Sequence, residues 1–268
     1  MKYIVNTLKY LKNNLLLLPA LAVAMVAFAP IFDYAAFEQI ATSFSDGRIC
    51  SSFNVWLCFF LPVHTENWLT VLLSVLGYIV LIVDLSYMQS LTDKHVRFGS
   101  KSFRSIMSSL SVNFWYGLTL AALLAVAAAL NAFIFAAVMK TFAMFTAPYI
   151  FVCGVVICGL LTIAELFGFC HFSLWLPCIE ITGFKAFEAL SYSYSLARPI
   201  RWRLFFTLSV PVIIASIIWF AVTLTCNAWV SAVISAAACG FAFVFITTAC
   251  YLAYVDREGI EREDIKHY

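Results

Sequence analysis

From Phe145 to Thr182 the chain runs for 38 residues without a lysine or an arginine. As one straight helix that segment would be roughly 57 Å long, close to twice the hydrocarbon thickness of a bilayer, about 30 Å. Five other apolar runs flank it, at Asn14–Phe32, Trp68–Leu91, Asn113–Val138, Leu204–Cys226 and Ala228–Val255. A chain that is 64% hydrophobic and 11% charged, against about 25% charged for soluble domains, cannot cover a water-facing surface. Its mean hydropathy of +0.97 points the same way. Lipid must be its main solvent, and the expected fold is all-α, a polytopic integral membrane protein in a single transmembrane domain.

The long charge-poor segment is ambiguous between one span and two. No turn of sufficient polarity divides it, whereas Gly168 and Pro177 favour a span over residues 145–169 followed by a bent interfacial extension. The basic residues decide. With the N-terminus in the cytoplasm, six spans put Lys2, Lys9, Lys12, Lys94, Arg97, Lys101, Arg104, Lys185, Arg198, Arg201, Arg203, Arg257, Arg262 and Lys266 inside. Only Arg48 and Lys140 fall outside. Loops rich in Lys and Arg stay cytoplasmic, so six transmembrane helices with both N and C termini inside are expected. The N-terminal lysines and Ala27-Phe28-Ala29 have the cast of a secretory signal, but the apolar run continues through Phe32, so it reads as an uncleaved first span.

Two inner segments carry amphipathic signals. In residues 101–112, Phe103, Ile106, Met107 and Leu110 follow the i, i+3, i+4, i+7 spacing of a helix with one apolar face, while Ser102, Ser105, Ser108 and Ser109 take the other. In residues 184–197, Phe184, Phe187, Leu190 and Tyr194 repeat a similar spacing. Each leads into an aromatic stretch, Phe114-Trp115-Tyr116 and Trp202 with Phe205-Phe206. Two cytoplasmic-side surface helices, each feeding a two-span hairpin, form a weak internal repeat. On the other side, the loop 33–67 mixes acidic residues with Phe53, Trp56, Phe59 and Phe60. Residues 54–61 read as a stretch anchored at the interface by its aromatics in preference to a ligand-binding lid.

Candidate chemistry is sparse. Asp84 and Glu165 are charged groups at membrane depth, which is costly and marks each as a functional hypothesis. A carboxylate pair would bind a cation or relay a proton. The simpler reading, which we prefer, has each capped by Lys185, Arg198, Arg201 or a backbone group. Asn131 and Asn227 are placed to make interhelical hydrogen bonds. Lys101, Arg104, Lys185, Arg198, Arg201 and Arg203, set among aromatics, suit anionic lipid headgroups, each worth about 1 kcal/mol near a membrane surface. Of nine cysteines, Cys50 and Cys58 share the polar outer loop. They form a disulfide if that loop faces an oxidising compartment, and are two free thiols otherwise. No CxxC pair, HExxH, GxSxG or phosphate-binding loop occurs, so neither a metal, nor a cofactor, nor a catalytic set is expected. The few basic residues flank spans, which leaves nucleic acid out as a partner.

The order of surface helix, aromatic–basic junction, two spans and a polar tail resembles the membrane domain found beside bacterial glycerophosphodiester phosphodiesterases and its six-span relatives. The residues that carry it are Lys94-His-Val-Arg-Phe-Gly99 with Ser102-Phe103, Ala189-Leu190-Ser191 through Trp202-Arg203-Leu204-Phe205, and Tyr251-Leu-Ala-Tyr254-Val-Asp256-Arg257-Glu258-Gly259. The resemblance covers residues 72–259, and the Cys50–Cys58 loop departs from it. It implies a multi-pass protein of the bacterial cytoplasmic membrane, without phosphodiesterase activity because no soluble catalytic domain is attached. The functional expectation is therefore a non-enzymatic accessory protein that binds membrane lipids or a membrane-protein partner, itself included as a homo-oligomer, for transport or envelope maintenance. The alternative is a small transporter or channel that uses Asp84 and Glu165.

Overall fold

A computed structural model describes residues 2–31, 39, 42, 52–61, 63, 67–98, 103–143, 148–225 and 227–259, with no side-chain description at 97, 98, 103–112, 143, 148–151 and 228. The described chain is 92% helix without a strand. The helices are α1 (Lys2–Asn13), α2 (Leu17–Phe28), α3 (Phe53–Phe60), α4 (Trp68–Phe98), α5 (Phe103–Ala143), α6 (Pro148–Phe172), α7 (Trp175–Thr182), α8 (Ala186–Ala197), α9 (Arg201–Thr225) and α10 (Ala228–Glu258), with a 3-10 turn at Arg198–Ile200 joining α8 to α9. Five helical stretches are long and apolar enough to cross a membrane, and a sixth is counted if the bent pair α1–α2 is one span.

Prolines place the breaks. A proline has no N–H to give to the carbonyl four residues back, and its ring clashes with that carbonyl. Pro19 and Pro177 each stand third in a new helix, so the preceding helices stop just before, at Asn13 and Phe172. The first break falls at residues 14–16, the start of the expected span over residues 14–32, so α2 lies within that span and α1 precedes it. The axis turns by 103° between α1 and α2, and Asn14 Nδ2 caps α1 by donating to the Tyr10 carbonyl at 2.9 Å. Alone, the 12 residues of α2 rise only about 18 Å. The second break is a short turn in a stretch, residues 152–182, that otherwise runs as one helical length; α6 continues to Phe172, past the expected end at 169, and α7 is buried through Trp175, Pro177, Cys178 and Ile179.

The two amphipathic segments differ. Residues 101–112 do not form a separate surface helix: from Phe103 onward they are the first turns of the 41-residue α5, because neither glycine nor proline interrupts the chain before Gly117. Pro199 marks the second copy with the 3-10 turn at Arg198–Ile200, but residues 186–225 still run as one 40-residue helical stretch, so surface helix and span are not cleanly separated there. The packing is not repeated either. α9 pairs extensively with α10, whereas α5 packs chiefly on α4.

α10 is the central helix, bordered by α9, α2, α1 and α4. α2 comes close to both α10 and α4 because its buried face is small, Ala20, Ala24 and Ala27, and because glycines face it. A Cβ on Gly77 would lie 2.7 Å from the Ala27 carbonyl oxygen, and one on Gly240 would lie 3.0 Å from the Met25 nitrogen. Small residues that admit a neighbouring backbone are how helices associate in lipid. The alanines of α5 do less of this, since of Ala121, Ala122, Ala125, Ala127, Ala128 and Ala129 only Ala128 is buried.

One end of the bundle is basic. There α1 lies across α10 with Tyr3, Thr7 and Tyr10 buried. Lys2 Nζ donates to Asp256 Oδ1 at 2.6 Å, and Tyr3 donates to Asp256 Oδ2 at 2.8 Å. Tyr10 shares a 2.8 Å hydrogen bond with His95 Nδ1, Tyr251 donates to Asp93 at 2.7 Å, and Tyr192 donates to Glu258 at 2.6 Å. The described N- and C-terminal helix ends therefore meet at this end. Trp115 and Trp202 stand exposed near it, and Trp68 and Trp229 stand exposed at the opposite end, as in the aromatic belts of membrane proteins. The exposed apolar face of α9 from Trp202 to Leu224 rises roughly 33 Å, close to a hydrocarbon core of about 30 Å.

Candidate functional site

At the end opposite the basic one, α6 and α9 diverge. Near the basic end they touch through Phe167, whose ring centroid is 5.0 Å from that of Trp202 and 5.9 Å from that of Phe205. Farther along, a groove of about 540 Å³ opens between them, within the roughly 300–1,000 Å³ of small-molecule sites. Its walls are Val155, Cys158, Gly159, Thr162 and Leu166 of α6 and Val212, Ile213, Ser216, Ile217, Trp219 and Phe220 of α9, with Phe135 of α5 behind. A Cβ on Gly159 would touch nothing within 4 Å.

The roof is α3. Its sequence FNVWLCFF puts aromatics on every side of a two-turn helix, so several reach the groove at once. Trp56 is buried and stands 5.3 Å from the Phe135 ring. Phe60 meets Phe135 edge-on at 4.9 Å, and Phe59 stacks on Trp219 at 6.0 Å. This stretch is thus a helix covering a groove, where the sequence reading preferred an interfacial anchor. Asp84 and Glu165 do not line the groove.

Those two carboxylates are not brought together. Glu165 Oε2 accepts a 2.9 Å hydrogen bond from Asn131 Nδ2, so α5 holds it, and Asn131 makes the interhelical bond expected of it. Asp84, on α4, is 3% exposed, and among the described residues its buried Oδ2 has no hydrogen-bond partner. The capping of either by Lys185, Arg198 or Arg201 is overturned: those side chains are exposed and sit at the α8–α9 corner, where Arg201 lies 6.0 Å from the Phe167 ring centroid. Asn227 also differs from expectation, since it caps its own helix by accepting from the Val230 N–H at 3.0 Å.

Of the headgroup set, Lys185, Arg198, Arg201 and Arg203 cluster at that corner, all exposed, beside Phe187, which is 86% exposed. The inward face of α8 is instead Ala189, Ser193 and Ala197; Phe187 points away from the bundle, while Tyr194, half exposed, stacks on His171 of α6 at 5.3 Å. Arg104 lies on α5 with its side chain undescribed, and Lys101 lies outside the described residues. So does Cys50, and with it the question of its pairing. Cys58 Sγ donates to the Val63 carbonyl at 3.9 Å.

Sequence reasoning missed α1 and the groove. The first had a signal, the i, i+4, i+7 spacing of Tyr3, Thr7 and Tyr10. The second had none, because its walls are drawn from helices that are apolar on all sides. Among the described residues no three His, Cys, Asp or Glu side chains gather in a way that would hold a metal ion. The chain matches no family model, no curated protein sequence and no solved structure.

Proposed function

We propose that this is a six-span protein of the bacterial cytoplasmic membrane, both termini inside, that acts without catalysis as a lipid-binding accessory to transport or envelope maintenance. The observation that supports it most is the groove between α6 and α9: open sideways, apolar but for Thr162 and Ser216 and roofed by aromatics, it suits an acyl chain entering from the leaflet opposite the basic end. The exposed cations at the α8–α9 corner suit anionic headgroups of the inner leaflet, with Phe187 and Trp202 seated in the interface. The resemblance to the membrane domain of glycerophosphodiester phosphodiesterases, and assembly with a second copy or another membrane protein, belong to the same reading.

A phospholipid carrying a diazirine in its acyl chain tests the groove. Photolysis in native lipid is expected to label peptides around Gly159 and Ser216, and Gly159→Trp, which fills open space, is expected to lower that labelling about tenfold, equivalent to about 1.4 kcal/mol. Equal labelling of both proteins sinks the acyl-chain reading. Topology has its own test. In intact cells a membrane-impermeant maleimide should modify Lys140→Cys and leave Arg201→Cys untouched, and modification of the latter from outside refutes six spans with cytoplasmic ends.

A second reading, a small transporter or channel, draws on one observation, the buried carboxyl of Asp84. Its supposed partner Glu165 is committed to Asn131, which is why this reading stands second.

A further inference from the structure

A separate cavity of about 200 Å³ lies toward the basic end, walled by α4, α5, α6, α7 and α10. It shares no lining residue with the groove. Most of its wall is aliphatic or aromatic, and no lining side chain carries a charge. Its polar groups are nearly all committed to the protein. Thr247 donates to the Phe243 carbonyl at 2.9 Å, Ser173 donates to the Cys170 carbonyl at 3.0 Å, and Tyr251 donates to Asp93 at 2.7 Å.

Gln89 is the exception. It is 4% exposed, it lines the cavity, and its amide makes no hydrogen bond among the described residues. A ligand able both to donate and to accept would give that amide the hydrogen bonds an apolar wall withholds. Thr247 and Ser173 keep lone pairs that can accept from the same ligand. Two rim residues, Leu124 and Phe169, are exposed on the lipid-facing surface, which gives an amphiphile a sideways path in.

We propose that this cavity binds the head of a neutral, hydroxyl-bearing amphiphile, with Gln89 pairing to the hydroxyl and the chain leaving between Leu124 and Phe169. An anionic head is disfavoured because no cation lines the wall. A bare hydrocarbon is disfavoured because it leaves Gln89 unpaired.

The test uses decanol carrying a diazirine in its chain, with the matching decane and decanoate probes at alkaline pH, on the full chain in detergent. Decanol is expected to label peptides containing Leu124, Phe169 or Thr247, and the other two probes several-fold less. Gln89→Leu should lower decanol labelling there about tenfold and leave phospholipid labelling around Gly159 unchanged, which also reports that the variant is folded. Should Gln89→Leu fail to fold, Thr247→Val carries the test, with a several-fold loss expected. Equal labelling by decanol and decane, or decanol labelling that neither substitution changes, overturns the proposal.

Discussion

Gly77→Val is expected to dislodge α2 and lower the stability of the whole bundle. The first atom added at this position would lie 2.7 Å from the Ala27 carbonyl oxygen and 2.9 Å from Ile31 Cγ1. The oxygen belongs to the backbone, so no rotamer change relieves it. Helix α2 would have to move away from α4, and the buried alanine face it presents would lose contact with α10 as well, since the same helix is pinned at Met25 by Gly240. Overpacking of this kind costs about 1–3 kcal/mol where the surroundings can shift, and here one of the obstacles is main chain. Thermal unfolding in detergent should show a midpoint lowered by several degrees. Gly159→Val supplies the contrast, because open space surrounds that position, and its midpoint should match the native protein. Equal midpoints for Gly77→Val and the native chain would show that α2 is not clamped where it lies.

The helical architecture was largely legible because span length and charge are coarse signals. A run of about 20 apolar residues is visible whatever it packs against, and five such stretches are present. Finer features depended on single residues whose weight is local. Hydropathy starts the first span at Asn14, where α1 ends, but it shows neither the polar helix α1 nor the 103° turn that precedes Pro19. The segment at residues 101–112 shows the reverse. Its amphipathic pattern is real, but pattern says which face is apolar and not whether the helix ends, and no residue there ends it.

Site residues were less legible for a related reason. Periodicity reveals a buried face only when the other face is polar, and α6, α9 and α10 are apolar around their whole circumference. Nothing in the order of Val155, Cys158, Gly159 and Thr162 tells a groove wall from a lipid-facing wall. Depth estimates had the same weakness. Position along each helix places Asp84 and Glu165 at membrane depth, but depth says nothing about azimuth, and α4 and α6 are not packed neighbours. Asn131 was legible as an interhelical donor; its acceptor was not.

Asp84→Leu is expected to stabilise the protein, and this separates the structural from the functional meaning of the residue. A carboxyl that is 3% exposed, with a buried Oδ2 that has no hydrogen-bond partner among the described residues, is a polar group bought out of water without compensation, worth about 1–3 kcal/mol. Leucine keeps the branched four-atom skeleton of aspartate, with methyls in place of the two oxygens, and adds no polar atom, so the unfolding midpoint should rise by a few degrees. A residue kept for packing would not be an acid at such a cost, so a gain in stability would point to a task that needs the carboxyl. The transporter reading then supplies a second measurement. In proteoliposomes, proton or cation flux driven by a gradient should vanish in Asp84→Leu and persist in Glu165→Gln, whose side chain can still accept the Asn131 hydrogen bond. If Asp84→Leu instead unfolds at a lower temperature, the carboxyl has a stabilising partner in the membrane and the argument from its isolation fails. If it is more stable and no flux is seen in the native protein, the carboxyl serves neither fold nor transport, and the lipid-binding reading is left without a rival.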